Sequence, residues 1–162
     1  PDFPKPGIQF KDITTLLQDH KVFREAIDVF YDAFKNEKID VIVGIESRGF
    51  IFAAPLALKL GCRFVLARKP GKLPRETIAE NYDLEYGSDR LEIHTDAFNN
   101  QSRILVIDDL LATGGTAEAS LELINRAGGK LVGFGFIVEL SELKGRNKLP
   151  LQIPIKSLVS YT

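Results

Sequence analysis

The chain has 162 residues, 44% of them hydrophobic, a single Cys and a formal net charge of −1, which is enough for one domain, 1–162, with a substantial core. A near-neutral surface carries no electrostatic footprint for nucleic acid or an anionic membrane, and no run approaches the roughly 18 apolar residues of a spanning helix. The lone Cys62 allows no internal disulfide and suits a reducing, cytoplasmic setting; no signal peptide is visible, and the start at Pro1 without a Met leads us to expect residues upstream.

Phe3–Ile13 is an extended, Pro-stiffened segment whose aromatic, Phe10, can stack on a planar group or enter the core. Asp19 caps a helix predicted over about 20–38, with Phe23, Ala26, Ile27, Phe30 and Phe34 on one face. Val41–Ile45 reads as a buried strand, followed by the turn Glu46-Ser47-Arg48-Gly49-Phe50. A helix over Phe50–Leu60 comes next, ended by Gly61 and irregular at Pro55. Arg63–Ala67 is the next strand. The densest group of cations follows it: Arg68, Lys69, Lys72 and Arg75.

Residues 69–102 lack a helical period and alternate instead: Ile78, Tyr82, Leu84 and Tyr86, then Leu91 and Ile93, with Gly87-Ser88 between the two runs. This predicts a two-stranded ribbon rising from the sheet, an insertion of the kind that often serves as a lid or binding loop. A strand over Ile104–Ile107, a helix over Ala117–Ala127 stopped by Gly128-Gly129, and a strand over Leu131–Leu140 complete the pattern. Gly133 and Gly135 are expected to mark close packing or a bulge. Strands alternating with helices predict an α/β fold with a parallel sheet.

Chemistry concentrates at Leu105–Glu118. There an apolar strand ends in two adjacent acids, Asp108 and Asp109, followed by the small-residue turn Ala112-Thr113-Gly114-Gly115-Thr116 and a helix. The acids can accept hydrogen bonds from a vicinal diol. The turn can fold its amides around a phosphate, because glycine permits positive φ and close approach, and the helix aims its N-terminal dipole at the same anion. A glycine pair alone often marks only a tight connection, and neither the Gly-Lys-Ser/Thr phosphate loop nor Gly-x-Gly-x-x-Gly is present. Two carboxylates at the end of a buried strand, however, are costly to desolvate without partners. A ribose-phosphate site gives them a use. Arg48, predicted at the carboxyl edge of the sheet where open α/β folds bind ligands, can grip a pyrophosphate through two parallel N–H···O contacts.

Phe3–Ile13, Ser47–Phe50, Arg68–Pro74, Tyr82–Gly87 and Val106–Thr116, continuing into Val138–Leu140 and Leu143–Arg146, resemble in order the type I phosphoribosyltransferase family, and specifically its adenine-using branch. The resemblance covers nearly the whole chain. It implies a mostly parallel central sheet flanked by helices, a ribbon lid (69–102) and a small N-terminal hood that binds the base (1–13). The implied reaction is adenine plus phosphoribosyl pyrophosphate (PRPP) giving AMP and pyrophosphate, with Mg²⁺ carried mainly by PRPP.

By the same resemblance, Ala112–Thr116 would cradle the 5′-phosphate. Asp108 and Asp109 would hold the ribose hydroxyls, with Asp108 touching Mg²⁺ through water. Arg48, Arg68, Lys69, Lys72 and Tyr86 would bind pyrophosphate, with Arg68 reaching across a homodimer interface. Adenine would lie between Phe10 and Leu110, read by main-chain groups at Gln9 and Lys11. Glu85 would move a proton on the purine as its N9 attacks ribose C1, so Glu85 and Arg48 are the expected catalytic residues.

Other readings stay open. A ligand-sensing regulator of the same family would use a basic face or a nucleic-acid-binding segment, and the sequence offers neither. A hypoxanthine or guanine enzyme is separated from an adenine enzyme only by the resemblance around Phe10. His20 and His94 stand apart, without the clustered ligands of a metal site. Glu139 and Lys144-Gly145-Arg146 match the family pattern without derivable chemistry and are expected at a solvated end of the sheet.

Overall fold

A computed structural model describes residues 11–83 and 88–162. Gln9, Phe10, Glu85 and Tyr86, together with Leu84, Gly87 and most of the 1–13 segment, lie outside the described residues. The helices are α1 (Thr14–Gln18), α2 (His20–Phe34), α3 (Arg48–Leu60) and α4 (Gly115–Arg126). The strands are β1 (Val41–Ile45), β2 (Arg63–Ala67), β3 (Thr77–Asp83), β4 (Ser88–His94), β5 (Arg103–Leu111), β6 (Lys130–Leu140) and β7 (Ile155–Tyr161).

Five strands form one sheet in the order β2-β1-β5-β6-β7, with every pairing parallel. Helices cover both faces, so the central strands β1, β5 and β6 are buried almost without alternation. Val41, Val43, Ile45, Ile104 and Val106 join the core beneath α4, whereas Ile42, Leu105 and Ile107 join the core beneath α2 and α3. From β1 the chain crosses through α3 to β2 on one side, and from β5 it crosses through α4 to β6 on the other. The order therefore reverses between β1 and β5, and open α/β sheets bind ligands in the crevice that such a reversal opens at the strands' carboxyl ends.

The Asp19 cap is as expected, its carboxylate accepting the Lys21 and Val22 amides at 2.9 and 3.3 Å. The helix ends at Phe34 rather than 38, because the Glu37 amide turns back to the Phe34 carbonyl and Lys38 takes a positive φ of 51°. β1 and β2 have the expected bounds. Helix α3 begins at Arg48, two residues early, carries Pro55 and stops at Gly61 in the left-handed conformation (φ 70°).

Close packing and a bulge both occur on β6. The register slips past Val132 beside Ile104/Leu105, and a Cβ on Gly135 would meet Ile107 and Phe30. Two elements, α1 and β7, had no sequence expectation. The ribbon β3–β4 is antiparallel, with Asp83 opposite Ser88, so Ser88 is a strand residue and not part of the turn. The ribbon's base does not stand clear of the sheet. Leu91 and Ile93 are buried in the core, and Arg126 of α4 donates to the Ala79 carbonyl and to Glu80, both at 2.7 Å.

Candidate active site

Strand β5 runs through Leu111, four residues beyond its expected end at Ile107, so Asp108 and Asp109 belong to the strand instead of following it. Asp108 pairs with Phe136 of β6, and Leu110 with Val138. Two acids in a buried strand require compensation, and the start of α3 supplies it. Arg48 lies 2.7 Å from Asp109. Gly49 makes that approach possible, since a Cβ there would stand 2.7 Å from the Ile107 carbonyl oxygen and 3.1 Å from the Asp108 backbone.

Both acids are buried. Burial, and then the charge of Asp109, push the Asp108 carboxyl well above its ordinary range, although the Asp109 amide donates to it at 2.8 Å. Asp109, in turn, sits against Arg48. Together the two carboxyls offer oxygens that can accept hydrogen bonds from a vicinal diol. Among the described residues no group of three or more His, Cys, Asp or Glu could hold a metal ion. A buried acid pair with one member already held by Arg48 fits contact with a hydrated Mg²⁺ better than direct coordination.

The turn after β5 is built from backbone. Gly114, the N-cap of α4, has φ 84°, and a Cβ there would stand 2.5 Å from the Gly145 carbonyl oxygen. A Cβ on Gly145 would in turn overlap the Ala112 carbonyl oxygen. Ala112, Thr113, Gly114, Gly115 and Thr116 thus form a tight loop at the open N-terminus of a 12-residue helix, whose first amides lack intrahelical acceptors. Burial, more than any other cause, raises the pKa of the Tyr82 phenol on the ribbon.

Of the cations that follow β2, Arg68 and Lys72 converge on Glu46, which follows β1, whereas Arg75 pairs with Asp96. Lys72 Nζ lies 2.6 Å from Glu46, Arg68 Nε 3.2 Å, and the Lys69 amide donates to it at 2.8 Å. Burial pushes the Glu46 carboxyl up, but these donors outweigh it and hold its pKa at about 2, below the ordinary 4.5. Lys69 Nζ pairs with Asp89 of the ribbon at 2.8 Å. Glu46 escaped the sequence reading as a member of the site, since nothing local shows that parallel pairing of β1 with β2 brings it to Arg68.

Leu110 is half-buried against the α2–α3 core. The Lys11 ammonium lies 4.0 Å over the Tyr161 ring, leaving only its main chain for the role expected of it. Arg48, Asp108, Asp109 and residues 112–116 come together at the carboxyl edge, with the cation group beside them. Gln9, Phe10, Glu85 and Tyr86 fall outside the described residues.

The expectation for Glu139 is overturned. Glu139 is not at a solvated end of the sheet: it is 5% exposed and holds Arg146 through two contacts of 2.6 and 2.7 Å, while the Ser157 hydroxyl of β7 donates to it at 2.6 Å. An acid and a base seven residues apart look like surface charge in sequence. Only β7 and the 3-10 turn Gly145–Lys148 close them into one cluster.

Residues 12–160 match the model of the phosphoribosyl transferase domain. The adenine phosphoribosyltransferase of Gloeobacter violaceus is 58% identical over 161 residues, spanning 99% of this chain and 94% of that protein. The crystal structure of the adenine phosphoribosyltransferase of Thermoanaerobacter pseudethanolicus superposes with a TM-score of 0.95 at 50% identity, covering 99% of this chain and 93% of that one. The Trypanosoma brucei enzyme, solved in complex with AMP, pyrophosphate and ribose-5-phosphate, superposes with a TM-score of 0.89 at 32% identity, covering 99% and 74%.

Proposed function

The chain belongs to the phosphoribosyltransferase family, and we infer that it transfers the 5-phosphoribosyl group of PRPP to adenine, giving AMP and pyrophosphate. The observation that carries this reading is the junction at the sheet's reversal. Arg48 faces the Asp108–Asp109 pair, and the glycine loop of α4 follows directly. Sugar hydroxyls, 5′-phosphate and pyrophosphate each find a complementary partner within this one edge.

The roles follow from charge. The amides of Ala112–Thr116 hold the 5′-phosphate, and Asp108 with Asp109 orients the ribose diol. As the bond from ribose C1 to pyrophosphate breaks, the sugar gains positive character and the leaving oxygens gain negative charge. Arg48, Lys69 and Lys72 stabilise the latter, Lys72 exchanging its pairing with Glu46 for the leaving group. Asp108 would face a Mg²⁺ carried by PRPP, and the ion would supply further charge neutralisation to the leaving group.

Adenine sits between Phe10 and Leu110, read by main-chain groups at Gln9 and Lys11. Glu85 shuttles the purine proton, Tyr86 contacts pyrophosphate, and the 69–102 ribbon shields the site from water. These assignments to Gln9, Phe10, Glu85 and Tyr86 rest on the resemblance of the segments that contain them.

The working unit is a homodimer. Helix α3 packs against the edge strand β2 and exposes Ile51 and Leu58, the latter 85% exposed, an apolar strip suited to a second copy; Arg68, paired here with Glu46, would turn from it toward the neighbouring site. No described helix is long and apolar enough to cross a membrane, and a cytoplasmic setting belongs to the same proposal. AMP formation from labelled adenine and PRPP with Mg²⁺, beside hypoxanthine and guanine, tests the reading. Turnover with adenine alone is expected; an enzyme that prefers a 6-oxo purine, or makes no nucleotide, refutes it.

A further inference from the structure

The phosphate loop touches a second backbone segment that belongs to none of its own elements. The carbonyl of Gly145 lies so close to Gly114, and Ala112 so close to Gly145, that neither glycine has room for a Cβ. The position of Gly145 therefore sets the position of the loop. The turn that carries Gly145 is fixed on three sides. Arg146 forks onto Glu139 of β6 at 2.6 and 2.7 Å, Lys148 Nζ lies 3.3 Å from Glu118 in the first turn of α4, and Leu149 is buried in the core.

Glu139 stands opposite Leu111 in the sheet register, level with the residue from which the loop departs. Its side chain is 7% exposed, against 44% for Arg146, and the Ser157 hydroxyl fixes the carboxylate from β7. We propose that the Glu139–Arg146 pair positions the 5′-phosphate loop by holding the Gly145 backbone against Ala112 and Gly114. This rests on the reading of 112–116 as the phosphate cradle. Neither side chain touches substrate; they act through Gly145.

Arg146→Ala alone would strand a buried carboxylate and could unfold the chain. The informative variant is therefore the double Glu139→Gln, Arg146→Gln, which removes both charges together, with Gly145→Ala as a second route to the same displacement. Ligand affinity is measured for AMP and for adenosine, which differ only in the phosphate. Both variants are expected to weaken AMP by at least about tenfold, the scale of a sub-ångström to ångström misplacement, while adenosine affinity and the KM for adenine stay within about twofold. Arg146→Lys, which keeps the charge without the fork, is expected to fall between wild type and the double variant.

Equal weakening of AMP and adenosine would mean a general structural role and would overturn the proposal. So would unchanged AMP affinity in Gly145→Ala. A wild-type chain that forms no AMP would instead overturn the function on which the proposal rests.

Discussion

The two halves of the proposed site would bind anions by different means. The phosphate half, Ala112–Thr116, is main chain, and its shape is fixed by glycine contacts against Gly145. The pyrophosphate half is side chain: Lys69 and Lys72 are about half exposed and already engaged by Asp89 and Glu46. A main-chain cradle cannot relax without moving the core beneath it, so it is ready before substrate arrives. A side-chain cluster can exchange partners, which suits a group that must be released as product. Arg48 stands between the two, being a side chain pinned to the buried Asp109.

Breaking that junction should have the largest effect. Arg48→Ala removes the charge nearest both the leaving group and Asp109, and kcat/KM should fall about 10²–10³-fold, as when a preorganised electrostatic contact is lost. Glu85→Gln should lower kcat by about 10²-fold, the small end for general acid–base help, with the KM for PRPP held; a fully active variant would remove the proton-transfer role.

Gly114→Ala tests the main-chain half. Its Cβ has no room against Gly145 and its φ of 84° disfavours a side chain. The KM for PRPP should rise about 10²-fold, consistent with an ångström-scale displacement, and added salt should not restore it. Lys72→Ala should cost less, under about tenfold in KM for PRPP, and the gap from wild type should narrow as ionic strength rises, because exposed charges are screened.

The smallest effect concerns stability. The Glu46 carboxyl has a pKa of about 2 in the folded chain against an ordinary 4.5. A depressed folded value stabilises above about pH 4.5 and loses that contribution as pH falls toward 2. Wild type should therefore unfold at higher denaturant than Glu46→Gln at pH 7, and the difference should shrink between pH 4.5 and 2. A constant difference across that window would show that the ion cluster is not its source.

Much of this was legible in the chain itself. β1 is placed to the residue because a strand covered on both faces is an unbroken apolar run, β2 because Gly61 and the cations from Arg68 bracket a short apolar run, and Asp19 and Gly61 mark helix ends by their own backbone chemistry. The Asp108–Asp109–glycine sequence singles out the proposed sugar-phosphate site from local order alone. The same acids misled the reading of β5, since carboxylates ordinarily end a buried strand and here continue it, compensated by Arg48 from a distant turn. β7, a half-exposed edge strand with Lys and Ser in its interior, carried no clear period.

Local order alone determined which residues could carry the chemistry: acids, glycines and cations in the sequence a ribose phosphate and a pyrophosphate demand. Tertiary structure decided which of them meet, because contacts between residues far apart depend on how strands pair. That is why Glu46 proved to be the hub of the cation group and Glu139, taken for surface, proved to be the buried anchor of the turn that presses on the phosphate loop.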